Sequence, residues 1–268
     1  MSARTIERLM QALLKDIYAR RELLSILVWR NIKIRYKGSV VGFFWTLLNP
    51  IFLIVIYAVF LGLLKIQVEL EILVSGIIVW SFFDMCLGDA LFIIIGNTNL
   101  IKKTAFPRVI LPLSMVISNL VNFLLSLVVL GCDLATRGLI APEYLPLLPL
   151  IIVTQAALCL GVALIICSLN VFFRDVEHLL GVLKLAWFFL TPVIYPLTYI
   201  FDKLPPLLQK LAFLNPMLGV VTAQRTAWMG TDLVAPDLVV LSLVVCWLVL
   251  AVGIFYFEKT QKRFADVL

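Results

Sequence analysis

Residues 144–173 read YLPLLPLIIVTQAALCLGVALIICSLNVFF, thirty positions without one Asp, Glu, Lys or Arg. A helix rises 1.5 Å per residue, so about 20 apolar residues cross the roughly 30 Å of bilayer hydrocarbon. This stretch is long enough. Working outward, uncharged runs recur at 40–64, 109–132, 185–201 and 238–257. A further apolar stretch, Ile72 to Ile101, is broken only by Asp84 and Asp89. The chain is 63% hydrophobic and 14% charged, against roughly 45–50% and 25% for soluble domains. So much apolar surface cannot be hidden inside one small globule; lipid must cover the rest. The reading is an all-α integral membrane protein of six spans.

Charge placement gives the orientation. If spans alternate from about Val40, seventeen basic residues fall on one side: nine before the first span, Lys102, Lys103 and Arg108, Arg174 and Lys184, and Lys259, Lys262 and Arg263. Only Lys65, Arg137, Lys203, Lys210 and Arg225 fall on the other. The positive-inside rule puts the richer side, and with it both termini, in the cytoplasm. The net charge of +6 therefore reflects lipid headgroups rather than nucleic acid, which would need a soluble basic surface.

Between the runs lie short features. Over residues 5–20, Ile6, Leu9, Met10, Leu13, Leu14 and Ile17 share one helical face, the pattern of a helix lying in the membrane interface, with the groove of a soluble partner as the competing reading. A basic cluster of Arg30, Lys33, Arg35 and Lys37 precedes the first span, which carries Asn49-Pro50. Residues 97–108, NTNLIKKTAFPR, suit one short helix with Thr98 as its cap and Pro107 as its end. Residues 172–178, FFRDVEH, make a second polar turn. From Tyr199 to Gly230, two semi-apolar patches too short to cross are split by Pro205-Pro206 and Asn215-Pro216. They read as re-entrant helices, which protein or water must cover.

Catalytic chemistry finds little to stand on. His178 is the single histidine, in a solvated turn, and metal binding needs several convergent ligands. The five cysteines sit in or beside apolar runs without C-x-x-C spacing, as packing residues do. The nearest approach to a phosphate loop, Lys103-Thr104, follows Lys102 where the motif requires glycine. The first twenty residues hold charges throughout and no uninterrupted apolar core of a cleavable leader. Asp84 and Asp89 are the costly groups, at about 2.5–3.5 kcal/mol each if central. A substrate pathway, a helix–helix hydrogen bond and a proton relay all stay open for them. The aromatics Phe43, Trp45, Trp80, Phe83, Trp187 and Tyr195 suit an interfacial belt or a stacking surface for sugar rings along a conduit.

Several stretches resemble ABC-2 type polysaccharide export permeases, the membrane subunits that export O-antigen and teichoic acid. The residues are RNIKIRYKGSVVGFFW at 30–45 with LNP at 48–50, IKKTAFPR at 101–108 and NVFFRDVE at 170–177. TPVIYP at 191–196, NPM at 215–217 and KRFA at 262–265 continue the likeness to the end of the chain. The resemblance implies a bacterial inner-membrane subunit that works as a homodimer with two copies of a separate ATPase, which binds the ATP and Mg. No cofactor is then expected in this chain, and no enzymatic activity of its own.

Within that resemblance, residues 1–37 are the cytoplasmic interface helix and basic segment, 38–258 the six spans and 259–268 a cytoplasmic tail. Residues 97–108 hold the coupling helix, with Asn99, Leu100, Ile101, Lys102, Lys103, Thr104, Phe106 and Arg108 facing the ATPase, and Arg174, Asp175 and Glu177 as a second contact. Residues 199–229 form two outer gate helices. Arg30, Lys33, Arg35 and Lys37 would meet the pyrophosphate of a lipid-linked polysaccharide or a plain lipid headgroup. Export of a drug or a lipid is the nearest alternative, and a membrane-embedded sugar or acyl transferase a more distant one.

Overall fold

The computed structural model describes residues 18–39, 41–63, 65, 69–104, 106–201, 204–231 and 236–267. The interface helix expected over 5–20 lies, except for its last three residues, outside them.

Among the described residues the fold is all helix and connecting turn. Helix α1 (Arg21–Tyr36) leads through a 3-10 turn at Gly42–Phe44 to α2 (Trp45–Leu63). Helix α3 (Leu70–Ile93) ends in a 3-10 turn at Ile95–Asn97 and the short α4 (Thr98–Lys103). Two long helices follow, α5 (Ile110–Thr136) and α6 (Leu148–Phe172), then α7 (Val176–Leu190). The chain continues through α8 (Thr198–Phe201), α9 (Pro206–Ala212) and α10 (Pro216–Met229). It closes with α11 (Pro236–Thr260) and α12 (Phe264–Val267).

Among the described residues four segments are long and apolar enough to cross a bilayer: Leu70–Ile93, Ile110–Thr136, Leu145–Phe172 and Pro236–Arg263. At 24 to 28 residues they reach roughly 36–42 Å. Helix α2 has 19 residues with Pro50 inside. Helix α7 has 15, or only about 22 Å. The run 185–201 is therefore not one helix. It starts earlier, at Val176, and stops at Leu190, because Thr191 turns to extended backbone and Pro192 and Pro196 lack the amide protons that would continue it. The expected re-entrant patches are helices that begin on Pro206 and Pro216, preceded by the extra four-residue α8.

The core lies between α3, α5 and α6, with Phe82, Phe83, Cys86, Leu87, Leu158 and Leu164 fully buried. Helices α6 and α11 meet closely at Gly161 and Gly253. A Cβ added at Gly161 would come within 2.6 Å of the Leu250 Cα, and one at Gly253 would strike the Gly161 backbone. Small residues let spanning helices approach this near. Helix α10 is capped at both ends: Asn215 Oδ1 accepts from the Met217 amide at 3.1 Å, and Gly230 closes the C-terminus at φ 67°.

Candidate functional site

A cleft of about 590 Å³ opens between α2, α3, α5 and α7. Its aromatic wall is built by packing. Tyr57 stacks on Phe188 with ring centres 5.5 Å apart, and Trp80 meets Phe188 edge-on at 5.4 Å. Trp45 lies at the other end of the wall and is 40% exposed. Asn49, Ser81 and Ser126 supply polar lining. Across the cleft Lys184 of α7 pairs with Asp84 of α3 at 2.7 Å, their side chains 25% and 41% exposed.

Of the aromatics singled out from sequence, Trp45 and Trp80 line this cleft. Phe83 is fully buried behind Trp80 and meets Trp187 edge-on at 4.9 Å. Trp187 donates its indole N–H to Asn215 Oδ1 at 2.7 Å, so its polar edge ties α7 to the cap of α10. The Tyr195 hydroxyl donates to the Phe189 carbonyl at 2.9 Å. Phe43 falls in the 3-10 turn Gly42–Phe44, and its side chain is outside the described set.

Asp89 has a different partner. Its carboxylate pairs with Arg35 of α1 and accepts from Asn119 Nδ2 of α5 at 2.9 Å. Five residues separate the two aspartates on α3, so they point about 140° apart around the helix. Each carboxylate thus binds its own base on a different neighbour.

The basic cluster before α2 is divided in the same way. Arg35 is committed to Asp89, and Arg30 donates to Asn97 Oδ1 at 2.6 Å. Lys33 and Lys37 are exposed. Asn31 donates to Ser114 Oγ at 3.2 Å, a third tie that fastens α1 along α5.

At this end of the bundle α4 forms as a single short helix. Asn97, not Thr98, occupies the cap position, and its side chain makes no capping bond. The Asn97 amide is instead spent on the Ile93 carbonyl at 2.7 Å. Thr98 is the first helical residue and donates to the Ile95 carbonyl at 2.6 Å. The helix stops at Lys103, four residues before Pro107, where Thr104 becomes extended. Ile101 is buried and anchors the turn, Leu100 and Phe106 pack partly beneath it, and Asn99, Lys102, Lys103 and Thr104 are exposed. Arg108 donates to the Gln261 carbonyl, joining this loop to the end of the chain. Arg174, Asp175, Glu177 and His178 are exposed at the start of α7.

Arg225 on α10 is the residue that sequence reading misplaced. Counted there only among the five basic residues of the poorer side, it is fully buried. Its guanidinium donates to the carbonyls of Ile72 at 2.8 Å, Val193 at 2.9 Å and Tyr195 at 3.1 Å, and Nε reaches Ser75 Oγ at 3.4 Å. One side chain thus clasps α10, the start of α3 and the non-helical turn after α7. That turn has few helical partners for its carbonyls, and the planar fork of arginine supplies them. Lys184 was likewise read as a loop residue and sits inside α7. Setting both aside, the basic asymmetry is sixteen (17 − 1) against four (5 − 1).

Comparison with known proteins decides the family. The sequence profile of ABC-2 type transporters matches residues 22–229. The chain belongs to the ABC-2 type transporter family. Its relatives include the O-antigen export system permease protein RfbA of Myxococcus xanthus, 32% identical over 95% of this chain and 98% of the relative. Two proteins of the same name from Klebsiella pneumoniae are 28% and 30% identical, each over 92% of this chain and 95% of the relative. This ABC-2 type chain is therefore a multi-pass membrane permease, a transporter component. The matched residues take in α4, every wall of the cleft and Arg225.

Proposed function

We propose that this permease exports a lipid-linked polysaccharide across the bacterial inner membrane, driven by ATP that a separate ATPase subunit hydrolyses. The observation that carries the reading is end-to-end similarity to three O-antigen export permeases. An aromatic-walled, partly polar cleft between helices is compatible with a cargo of sugar rings. In this reading two copies of the chain act with two ATPases, and helices α2 and α7 complete six crossings with both termini in the cytoplasm. The O-antigen named for the relatives is the nearest guide to the cargo.

The physical division of labour follows from the two ends of the bundle. Helix α4 presents Asn99, Lys102, Lys103 and Thr104 outward from a buried Ile101, a short rigid handle for an ATPase, and Arg174, Asp175 and Glu177 give a second hold at the start of α7. Displacement of α4 reaches α1 through the Arg30–Asn97 bond. At the opposite end α9 and α10 act as the gate helices, with Arg225 fixing α10 to α3. Of the four basic residues before α2, we assign Lys33 and Lys37 to a pyrophosphate; what supports this is that both are exposed while Arg30 and Arg35 already have partners.

Reconstitution tests the proposal. The chain alone is expected to hydrolyse no ATP, whereas co-expression with its ATPase yields a complex that moves lipid-linked glycan into proteoliposomes. Deleting residues 98–106 is expected to abolish transport and substrate-stimulated hydrolysis while the chain still inserts. Transport that survives the deletion would remove the coupling assignment, and a complex that moves a lipid or drug but no glycan would remove the cargo.

A further inference from the structure

Two charged side chains line the cleft among the described residues, Asp84 and Lys184, and they neutralise each other at 2.7 Å. Such a pair is weak evidence for stability, because a well-packed apolar pair of similar volume often does as well or better. Neither side chain is sealed away: 41% and 25% of their surfaces remain exposed, in a cleft that Ser81, Asn49 and the partly exposed Trp45 also line. An ammonium has three donors and a carboxylate about four acceptor sites. One shared hydrogen bond leaves both groups with capacity to spare, a donor and an acceptor side by side.

We infer that the Asp84–Lys184 pair is a specificity element that makes this cleft select uncharged, hydroxyl-rich glycan over anionic glycan. The inference rests on the polysaccharide-export reading and names the class of cargo within it. A vicinal diol can accept from Lys184 and donate to Asp84 at once, while the sugar ring lies against Trp45. A sugar carboxylate gains nothing comparable. It can approach Lys184 only by coming beside Asp84, so attraction and repulsion nearly cancel, while the carboxylate still gives up its water. The cleft has no other described charged side chain to offset that loss.

The test is binding to the full-length chain in lipid nanodiscs, read by tryptophan fluorescence, with a neutral hexose heptamer and a hexuronate heptamer as probes. The wild-type chain is expected to bind the neutral probe at least tenfold more tightly. Asp84→Asn leaves Lys184 unbalanced and is expected to shift the ratio at least tenfold toward the hexuronate. Lys184→Met is expected to weaken the neutral probe and leave the hexuronate unbound. The double exchange Asp84→Lys with Lys184→Asp restores a neutral pair and is expected to restore the wild-type ratio, which a general packing defect would not do. Equal binding of the two probes by the wild-type chain would overturn the inference and leave the glycan reading standing. Binding of neither probe would overturn both. An unchanged ratio in Asp84→Asn together with Lys184→Met would show that the pair is only a helix tie.

Discussion

The two ends of α3 hold charge in opposite ways. Near its start, Arg225 is fully buried and spreads its charge over three backbone carbonyls and a hydroxyl. Further along, Asp84 and Asp89 each meet a base, Lys184 and Arg35, and all four side chains keep a quarter or more of their surface exposed. The first arrangement is a joint between elements, satisfied wholly within the protein. The second needs a polar medium beside it. A charge inside a membrane protein is thus informative through its surroundings, since the same cost is met by backbone in one place and by a paired, partly exposed counter-charge in the other.

Breaking the joint is expected to have the largest effect. Arg225→Met leaves three carbonyls without their donor and should cost roughly 3–5 kcal/mol, measured as thermal unfolding in detergent. Arg225→Lys should recover only part of this, since an ammonium cannot span the same fork. The tight seam that backs this side of the bundle comes next. Gly253→Ala puts a methyl group against the Gly161 backbone and should cost about 1–3 kcal/mol by overpacking, without changing probe selectivity in the cleft.

The wet side is expected to be more forgiving. A double-mutant cycle of Arg35→Ala and Asp89→Asn should give a coupling of about 1 kcal/mol or less, the range for partly exposed pairs. Smallest of all is the stability change for Lys184→Met, expected within about 1 kcal/mol, although this is the side where substitution should alter selectivity. A large loss of stability at Lys184 would make the two regions alike and erase the contrast.

How far the fold was legible follows from the same physics. The four long helices stand where long apolar runs stand, three of them uncharged and one broken only by Asp84 and Asp89, because hydrocarbon demands both an apolar surface and a fully bonded backbone. The fifth run misled because hydropathy does not register Pro192 and Pro196, and the helix takes its length from Val176 onward instead. Asp84 was legible as a costly group, but its partner lies exactly one hundred positions away on another helix, beyond any periodic signal. Arg225 carried a signal that charge counting passes over: a lone cation in the apolar stretch MLGVVTAQRTAWM. On a helix too short to cross, an arginine among such residues has to face inward to the backbone of its neighbours.

The bond from Arg108 to the Gln261 carbonyl spans 153 positions of chain. At 5–20 residues per second, synthesis of that interval takes roughly 8–30 s. The loop behind α4 is therefore made that long before the residue that fastens it. A nascent chain that has not reached Gln261 carries α4 without this tie. The resting position of α4 is thus set by a residue beyond α11 as well as by the sequence around it.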